Sequence, residues 1–339
     1  MSEPAQTQAI IGEAPPFLEM LEHVSRAAPL RKPVLVVGER GTGKELIASR
    51  LHYLSTRWDQ PLIKVNCAAL TESILESELF GHEAGAFTGA VRAHTGHFER
   101  ADGGTLILDE LATISLRMQE KILRVIEYGE LQRVGGSDTV RVDVRIVGAT
   151  NADLPSLAAA GRFREDLLDR LAFDVITIPP LRERPEDIMP LAHAFAVNMV
   201  SELHLELFPG FSTRAASTLV RHPWPGNVRE LKNTIERSVY RAEDKSRPIS
   251  KIAFDPFDSP YNLKTEDAEP ARRRASAKAK GAAPLLPTDF KEEMSRAEQA
   301  LLTAALTKAR FNQRVAANLL GLSYDQLRGK VRKHQLDMR

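Results

Sequence analysis

The sequence predicts an α/β fold, a parallel sheet flanked by helices, joined to a helical subdomain and followed by a separate all-α module. Three observations predict it. Short apolar runs alternate with helical patterns from Ile10 to Pro180, helical patterns without a strand candidate fill Leu181 to Arg241, and helical periodicity returns at Thr288. The predicted boundaries are a tail at 1–8, the α/β subdomain at 9–180, the helical subdomain at 181–247, a flexible linker at 248–287 and the all-α module at 288–339.

Four short runs supply the predicted strands. They are mostly apolar on both faces, as expected of strands covered by helices on both sides. The runs lie at Pro33–Val37, Leu62–Val65, Thr105–Leu108 and Val144–Ala149. Helical spacing is found between them at Lys44–Leu54, Gln119–Glu127 and Arg164–Leu171. This alternation predicts that the sheet is parallel.

Composition and length limit the classes of protein. The 339 residues are 43% hydrophobic and 27% charged, which is typical of a globular chain with two or three domains. No apolar run approaches the roughly 20 residues that span a bilayer, and residues 1–8 lack the pattern of a signal peptide. The single cysteine, Cys67, excludes an internal disulfide and fits a reducing compartment. We therefore expect a cytoplasmic protein that does not insert into a membrane.

Charge is unevenly distributed along the chain. From Lys264 to the end there are 16 lysines and arginines against 9 aspartates and glutamates, whereas the preceding residues hold 30 against 36. The linker combines prolines and basic residues with few large apolar side chains, a composition typical of a mobile segment. A basic C-terminal region after a mildly acidic body indicates a nucleic-acid-binding module.

A glycine-rich loop follows the first predicted strand. In this strand–loop–helix context, glycines allow backbone amides to surround phosphates, and the helix N-terminus adds a favourable dipole. Lys44 is placed to reach the β and γ phosphates of ATP. A chance glycine-rich turn is the alternative, and the flanking strand and helix argue against it. The loop residues are Gly38, Glu39, Arg40, Gly41, Thr42, Gly43 and Lys44.

The position after Lys44 departs from the usual pattern. A serine or threonine normally follows the lysine and ligates Mg²⁺, but here the residue is Glu45. Asp109 and Glu110 end the third predicted strand, at the edge of a parallel sheet where ligands bind. We expect Asp109 to hold Mg²⁺, directly or through water, and Glu110 to polarise the attacking water. The alternative for two acids at a strand end is a solvated cap.

Polar residues also follow two other predicted strands. Thr150 and Asn151 come after the fourth strand and are suited to sensing the γ-phosphate. Asn66 comes after the second, where a hydrogen bond would hold Glu110 inactive until the nucleotide is correctly placed. Asparagine and threonine also cap strands without further role, which is the alternative for all three.

These residues resemble the AAA+ ATPases, and specifically the bacterial enhancer-binding activators of sigma-54 RNA polymerase. In that family a hexapeptide forms the tip of a loop that contacts sigma-54 and responds to the nucleotide state. From composition alone, a turn with an inward-packed phenylalanine is the alternative. The resemblance extends over about residues 9–245 and is most specific in Glu78–Ala90, which ends in the hexapeptide Gly85, Ala86, Phe87, Thr88, Gly89 and Ala90.

The resemblance implies that ATP is bound between subunits. Phe163–Leu171 resembles the family's helix with two arginine fingers, here Arg164 and Arg170. In the family, such arginines reach the γ-phosphate held by the adjacent subunit, and the working form is a hexameric ring.

Three further segments match the family. Trp224–Leu231 resembles the motif in which an arginine, here Arg229, senses nucleotide within the same subunit. The segment that lies against adenine includes Ile11 and Gly12. A second surface loop, which moves with the hexapeptide loop, corresponds to Ile126–Gly135, with Arg133 as its polar contact.

The resemblance also bears on regulation. Most members carry a receiver or ligand-sensing domain before the ATPase, whereas here the ATPase begins close to Met1, so we expect regulation from outside the chain. With the sequence around Gly38–Trp58, this resembles the phage-shock branch of the family, in which a partner of the phage shock protein A type inhibits the activator in trans. Trp58 is the candidate contact for that regulator, and a half-buried structural tryptophan is the alternative.

The C-terminal module predicts a helix-turn-helix. Helical patterns lie at Ala297–Lys308, Arg314–Leu320 and Tyr324–His334, with a glycine turn before the last, basic helix. The module resembles the Fis-like DNA-binding end of the same activators, and a solvated basic face is the alternative. The residues predicted to contact DNA are Ser323, Tyr324, Gln326, Arg328, Lys330, Arg332 and Lys333.

We therefore expect an activator that binds upstream enhancer DNA in the nucleoid. It would use ATP hydrolysis to convert the closed sigma-54 RNA polymerase complex into an open one, for the phage-shock (envelope stress) operon. An AAA+ remodelling ATPase with a different protein client is the alternative, although it would not require the hexapeptide. A DNA-binding repressor with a relic ATPase is opposed by the intact Lys44, Asp109 and Glu110.

Overall fold

A five-stranded parallel sheet forms the centre of the first unit. The four predicted strands are confirmed, each to within one residue at either end. In spatial order the strands are β2 (Leu62–Asn66), β3 (Thr105–Asp109), β6 (Arg145–Thr150), β1 (Val34–Val37) and β7 (Asp174–Thr177). A separate antiparallel hairpin consists of β4 (Glu130–Gln132) and β5 (Thr139–Arg141).

The computed structural model describes residues 10–257, 290–309 and 312–334. The chain divides into two units, Met1–Asp258 and Ser259–Arg339. The predicted tail at 1–8, and the predicted linker from residue 258 onward, lie outside the described residues. Within the described ranges, no helix is both long and apolar enough to cross a bilayer.

The central strands are apolar at successive positions because both faces are covered. Leu106 and Leu108 of β3 pack in one hydrophobic cluster, and Ile107 between them packs in the other. One face is covered by α1 (Pro15–Ala27) and α2 (Lys44–Tyr53). The other is covered by α3 (Glu72–Phe80), α4 (His97–Arg100), α5 (Leu116–Tyr128), α6 (Leu154–Ala159) and α7 (Glu165–Leu171).

Strand β7 was not identified in the sequence. It is the edge strand next to β1, and of its four residues only Ile176 is buried. A single buried side chain does not produce the continuous apolar run by which the inner strands were recognised. The strands of the β4–β5 hairpin have three residues each and escaped recognition for the same reason.

The helical subdomain, here called the lid, packs around a buried tryptophan. Its helices are α8 (Ile188–Glu202), α9 (Thr213–Arg221) and α10 (Asn227–Tyr240), preceded by short 3₁₀ turns at Leu181–Glu183 and Pro185–Asp187. Trp224 is fully buried, and its Nε1 donates to the Leu219 carbonyl oxygen at 2.9 Å.

The packing of the lid continues beyond its predicted end at residue 247. Ile249 forms a β-bridge with Phe211 and is buried. Arg237 donates to the carbonyl oxygen of Phe254 at 3.1 Å, and the Phe254 ring stacks on His222 with centroids 4.6 Å apart. The predicted boundary therefore falls inside this subdomain, because these two apolar residues lie in a segment that composition marked as linker.

The second unit is a three-helix module of the predicted helix-turn-helix type. Its helices are α11 (Phe290–Lys308), α12 (Gln313–Leu319) and α13 (Tyr324–Lys333). Leu302, Leu306, Leu327 and Val331 are buried in its core. Ser323 begins α13 through a capping box.

A buried arginine ties two helices of the first unit to the sheet. Arg145, at the start of β6, is 2% exposed. Its guanidinium donates to the carbonyl oxygens of Ala28 (2.6 Å) and Ala27 (3.0 Å), after the last turn of α1, and to that of Leu51 (3.4 Å), near the end of α2. Burial lowers the pKa of Arg145 to about 10. Carbonyl groups that a helix end leaves unpaired are thereby satisfied.

We expect Arg145→Ala to destabilise the first unit by about 2–4 kcal/mol, because it leaves a cavity and buried carbonyl oxygens without donors. The free energy of unfolding is measured in urea by circular dichroism. The control is Arg141→Ala, whose side chain is 85% exposed and pairs with Glu130 on the surface; its cost should stay within about 1 kcal/mol. Equal costs for both variants would contradict the structural role of Arg145.

Candidate nucleotide site and surface loops

The loop between β1 and α2 carries the predicted phosphate site. Gly41 has a left-handed φ of 79°, and a Cβ on it would lie 2.3 Å from the carbonyl oxygen of Gly226 in the lid. Both facts require glycine here. The Thr42 hydroxyl donates to the Glu39 carbonyl oxygen at 2.9 Å and closes the turn. The loop runs directly into the N-terminus of α2, as an anion-binding loop requires.

Lys44 is the first residue of α2 and is largely buried. Its Nζ donates to the carbonyl oxygens of Gly38 at 3.0 Å and Glu39 at 3.3 Å. Burial lowers the pKa of Lys44, and the carboxylates of Glu110 and Asp109 act in the opposite direction. The structure therefore brings the lysine and the two predicted acids to one site.

The two acids leave the end of β3 in different backbone conformations. Asp109 is the last residue of the strand, whereas Glu110 has a φ of 53°, in the left-handed region. The Glu110 N–H donates to Asp109 Oδ1 at 2.9 Å. Backbone strain of this kind is concentrated at functional sites. The different conformations are compatible with Asp109 binding the metal and Glu110 polarising the attacking water.

Glu45 is directed away from this pair. Its Oε1 accepts from Lys64 Nζ at 3.1 Å, and its side chain is 62% exposed. Asp109, whose charge acts on Lys44, is therefore the better placed carboxylate for a metal that lies against the phosphates.

Asn66 is held by a local bond. It lies opposite Asp109 in the β2–β3 register, but its Oδ1 accepts from the Ala68 amide at 2.9 Å. The predicted hydrogen bond from Asn66 to Glu110 is not among the bonds of residues 10–257. The bond to Ala68 uses the Asn66 amide oxygen, whereas a bond to the Glu110 carboxylate would use the amide nitrogen as donor.

The end of β6 lies beside the phosphate loop. Thr150 pairs with Val37 in the sheet, and its carbonyl oxygen accepts from the Gly38 amide at 3.2 Å. The Thr150 side chain is buried and accepts from the Ala152 amide at 3.1 Å, whereas Asn151 is exposed. Of the two, Asn151 is the one with its side chain accessible.

The predicted adenine segment contacts the lid, and the predicted sensor arginine, on helix α10 of the lid, contacts the phosphate loop. Ile11 packs on the lid core, and a Cβ on Gly12 would lie 2.2 Å from the Phe17 ring. The Arg229 N–H donates to the Gly41 carbonyl oxygen at 3.2 Å. After burial, the Arg229 charge is a further cause of the lowered pKa of Lys44. Arg229 therefore faces the phosphate loop.

The hexapeptide forms a tight surface turn between α3 and α4. The Gly85 amide donates to the Ala90 carbonyl oxygen at 2.8 Å, and the Ala90 amide donates to that of Phe87 at 3.0 Å. Thr88 at the tip is exposed, and Phe87 is 49% exposed with one ring edge against His82, 4.9 Å between centroids. The inward-packed alternative for Phe87 thus fails in part, since half of the side chain faces solvent.

The β4–β5 hairpin clamps the base of this loop. Arg133 donates to Glu99 (2.7 and 2.8 Å) and to Glu83 (2.9 Å), and the carboxylates of Glu99 and Glu83 raise the pKa of Arg133. The Glu83 amide donates to the Val134 carbonyl oxygen at 3.0 Å. A Cβ on Gly135 would lie 2.6 Å from that of Ala86. Arg133 therefore connects the two predicted loops, and its acidic partners were not identified in the sequence.

The comparisons with protein families cover nearly all of the described chain. Residues 10–178 match the Sigma-54 interaction domain, residues 182–259 the AAA+ ATPase lid domain, and residues 293–334 the Bacterial regulatory protein, Fis family. The chain is 58% identical to the Psp operon transcriptional activator of Escherichia coli, over 96% of this chain and 98% of that protein. The chain belongs to the sigma-54-dependent transcription activators.

Other members are similar over the same length. The Nif-specific regulatory protein of Azotobacter vinelandii is 43% identical over 97% of this chain, which spans 59% of that protein. The structure of NtrX from Brucella abortus in complex with ATP is 30% identical, with a TM-score of 0.67 over 97% of this chain and 70% of that one. NtrX in complex with ADP gives a TM-score of 0.68. Membership in this family makes the first unit an AAA+ ATPase.

The finger candidates of this activator pair with acids of their own chain. Arg164 precedes α7 and donates to Asp166 at 2.6 and 3.0 Å. Arg170 Nε donates to Glu127 Oε1 at 2.8 Å, with the arginine side chain 60% exposed. Both arginines are accessible at the surface, and exposed pairs of this kind are worth at most about 1 kcal/mol.

Trp58 stands on a firmly held loop of the ATPase unit. The neighbouring Arg57 is buried and donates to Asp143 at 2.7 and 2.8 Å and to the Gly104 carbonyl oxygen at 3.0 Å. Trp58 is nevertheless 63% exposed, and Tyr53 nearby is 55% exposed. The alternative of a half-buried structural tryptophan does not hold.

Several residues that were predicted to contact DNA form bonds within the activator's helix-turn-helix module. Ser323 and Gln326 form the capping box of α13. Glu298 on α11 accepts from Lys330, from Lys333 at 3.1 Å and from His334 at 2.8 Å, and these donors lower the pKa of Glu298 to about 2. The predicted contacts that remain exposed without a role in these bonds are Tyr324, Arg328 and Arg332.

We expect Arg133→Gln to loosen the hexapeptide loop, because the ion pairs of the hairpin with Glu83, at the base of the loop, and with Glu99, on α4, are both lost. Hydrogen exchange measured by mass spectrometry should show the Glu83 and Val134 amides exchanging about tenfold faster. The control is Arg92→Gln, an exposed arginine in the same region, for which no change is expected. Unchanged exchange in Arg133→Gln would show that the clamp does not depend on Arg133.

Proposed function

We propose that this activator forms a hexameric ring that uses ATP hydrolysis to convert the closed sigma-54 RNA polymerase complex into an open one. The observation that carries the proposal is the hexapeptide tip. Phe87 and Thr88 are presented to solvent on a turn whose base is clamped by the hairpin through Arg133. An apolar contact point on a turn with a fixed base is suited to transmitting a displacement to a protein client.

ATP and Mg²⁺ would bind at the edge of the sheet. The loop Gly38–Lys44 would surround the phosphates, and Asp109 would hold the metal, directly or through water. Glu110 accepts a proton from the attacking water or polarises it. No cluster of histidine, cysteine and acidic side chains is preformed for a metal within the residues that the structure describes. This fits a metal that arrives with the nucleotide, since Mg²⁺ keeps several waters and binds through few carboxylates.

The surface positions of the two finger candidates support the proposed ring. Arg164 pairs with the exposed Asp166, and Arg170, 60% exposed, pairs with the partly exposed Glu127, so both arginines are accessible to a neighbouring subunit. At the γ-phosphate of that neighbour they would stabilise the charge that develops in the transition state. Hydrolysis then depends on assembly.

The helix-turn-helix and Trp58 bear on where the activator acts and on how it is regulated. The helix-turn-helix would bind enhancer DNA through Arg328 and Arg332, which places the activator in the cytoplasm on the nucleoid. The similarity to the Escherichia coli Psp operon activator supports the phage-shock operon as target and a phage shock protein A type inhibitor, with exposed Trp58 as its contact.

An AAA+ ATPase that remodels a different client is the second candidate. It would need the nucleotide site and the fingers but not an exposed Phe87–Thr88 tip. The sigma-54 interaction domain match favours the first candidate.

We expect Thr88→Ala to separate hydrolysis from remodelling, because the tip lies outside the nucleotide site. ATPase activity should stay within about twofold of wild type, whereas sigma-54-dependent open-complex formation should fall by at least about tenfold, a loss of roughly 1.4 kcal/mol. The control is Thr95→Ala, another exposed threonine near the loop, which should affect neither. Open-complex formation at the wild-type rate by Thr88→Ala would contradict the proposed client.

We expect Trp58→Ala to abolish inhibition by a phage shock protein A type partner, because a large aromatic contact is removed. Uninhibited ATPase activity should be unchanged. The control is Tyr128→Ala, which removes another aromatic side chain, 67% exposed. The measurement is ATPase rate against inhibitor concentration, and retained inhibition of Trp58→Ala would reject the assigned surface.

A further inference from the structure

Asn227 connects three parts of the first unit with one side chain. It is the first residue of α10, is completely buried, and has a left-handed φ of 52°. Its Oδ1 accepts from the Leu181 amide at 2.8 Å, where the lid begins. Its Nδ2 donates to Glu39 Oε2 at 3.0 Å and to the Arg40 carbonyl oxygen at 3.1 Å, both in the phosphate loop. Asparagine is the L-residue best suited to this backbone conformation.

The orientation of the Asn227 amide is fixed by its partners. An N–H at Leu181 requires the amide oxygen, and a carbonyl at Arg40 requires the amide nitrogen. Every hydrogen bond available to the buried Nδ2 is made. A buried amide whose oxygen and two N–H groups are all paired specifies one arrangement of the elements that it joins.

Glu39 is the second member of this connection. Its carboxylate accepts two hydrogen bonds from the Arg182 guanidinium, at 2.7 and 2.9 Å, beside the one from Asn227. Arg182 follows Leu181 in the 3₁₀ turn with which the lid begins. The Glu39 side chain of the phosphate loop therefore bonds to two parts of the lid, Arg182 in its first turn and Asn227 at the start of α10.

These bonds determine where Arg229 stands. The first turn of α10 approaches the loop so closely that the Arg229 amide donates to the Gly41 carbonyl oxygen. Asn227 lies two residues before Arg229 on the same turn. A shift of Glu39 relative to Asn227 must therefore move the Arg229 backbone or break the Asn227 network.

We propose that Glu39 and Asn227 are positioning residues that hold the first turn of α10 on the phosphate loop and so set the position of Arg229 at the phosphates. This inference rests on the proposed ATP hydrolysis at Gly38–Lys44. It gives Glu39 a role through its side chain that is distinct from phosphate contact. A rearrangement of the loop during hydrolysis is transmitted to the lid at Leu181 through the same bonds.

The test uses two variants of the full chain that keep side-chain size. Glu39→Gln places an amide nitrogen among donors, and Asn227→Asp places a carboxylate against Glu39 and the Arg40 carbonyl. The control is Glu236→Gln, which removes the exposed ion pair with Lys232 on the same helix but touches nothing in the loop. Hydrogen exchange at the Arg229 amide, without nucleotide and with ADP, reports how firmly α10 is docked.

In both variants we expect the Arg229 amide to exchange about tenfold faster than in wild type, and the kcat of ATP hydrolysis to fall about tenfold with KM changed less than about threefold. Glu236→Gln should match wild type in all three quantities. Wild-type exchange and kcat in both Glu39→Gln and Asn227→Asp would overturn the proposal. Absence of hydrolysis by wild type would refute the proposed function alone, because the exchange experiment needs no hydrolysis.

Discussion

The register of the parallel sheet is the constraint on which the site depends. Val37 pairs with Thr150 and Asn66 with Asp109, so four strands end at one edge of the sheet. The phosphate loop, the two acids and the candidate sensors are the residues that lie at those strand ends or directly after them. A slip of one residue in any pairing would turn a strand's side chains to the opposite layer and carry its terminal polar group out of the site. The helices on both faces oppose such a slip, because they bury all of β6 and most of β1 and β3.

Exposed or half-exposed ion pairs, rather than buried apolar contacts, connect the edge of the sheet to the elements around it. Arg182 joins Glu39 to the lid, Arg133 joins the hairpin to the hexapeptide loop, and Arg170 is held by Glu127. Pairs of this kind contribute little to stability, and salt and competing phosphates weaken them. That weakness suits elements that must change partners in a cycle. In the proposed cycle, the rigid sheet would set where the phosphates bind, and the weak charged contacts would determine which elements move in response.

Features encoded in short stretches of sequence were predictable. The glycine loop with its flanking strand and helix, the acids ending β3 and the hexapeptide each lie within one contiguous segment, and all three were identified. Contacts between distant segments were not: the bonds between Glu39 and Arg182 span 143 positions in the chain. Strand β7 was missed because an edge strand with one buried residue lacks an apolar run. Asn66 was assigned to Glu110 because the sequence shows which residues end strands, but not which local turn engages their side chains.

Mixing two inactive variants tests whether each ATP site is completed by a neighbouring subunit, as proposed. Glu110→Gln lacks the residue that polarises water, and Arg164→Ala/Arg170→Ala lacks the fingers. Each alone should hydrolyse ATP about a thousandfold more slowly than wild type. In a mixed ring, some sites combine an intact Glu110 with a neighbour's intact arginines, so the mixture should recover a substantial fraction of wild-type activity. A mixture that remains inactive at every ratio, or a finger variant that is fully active alone, would contradict the account.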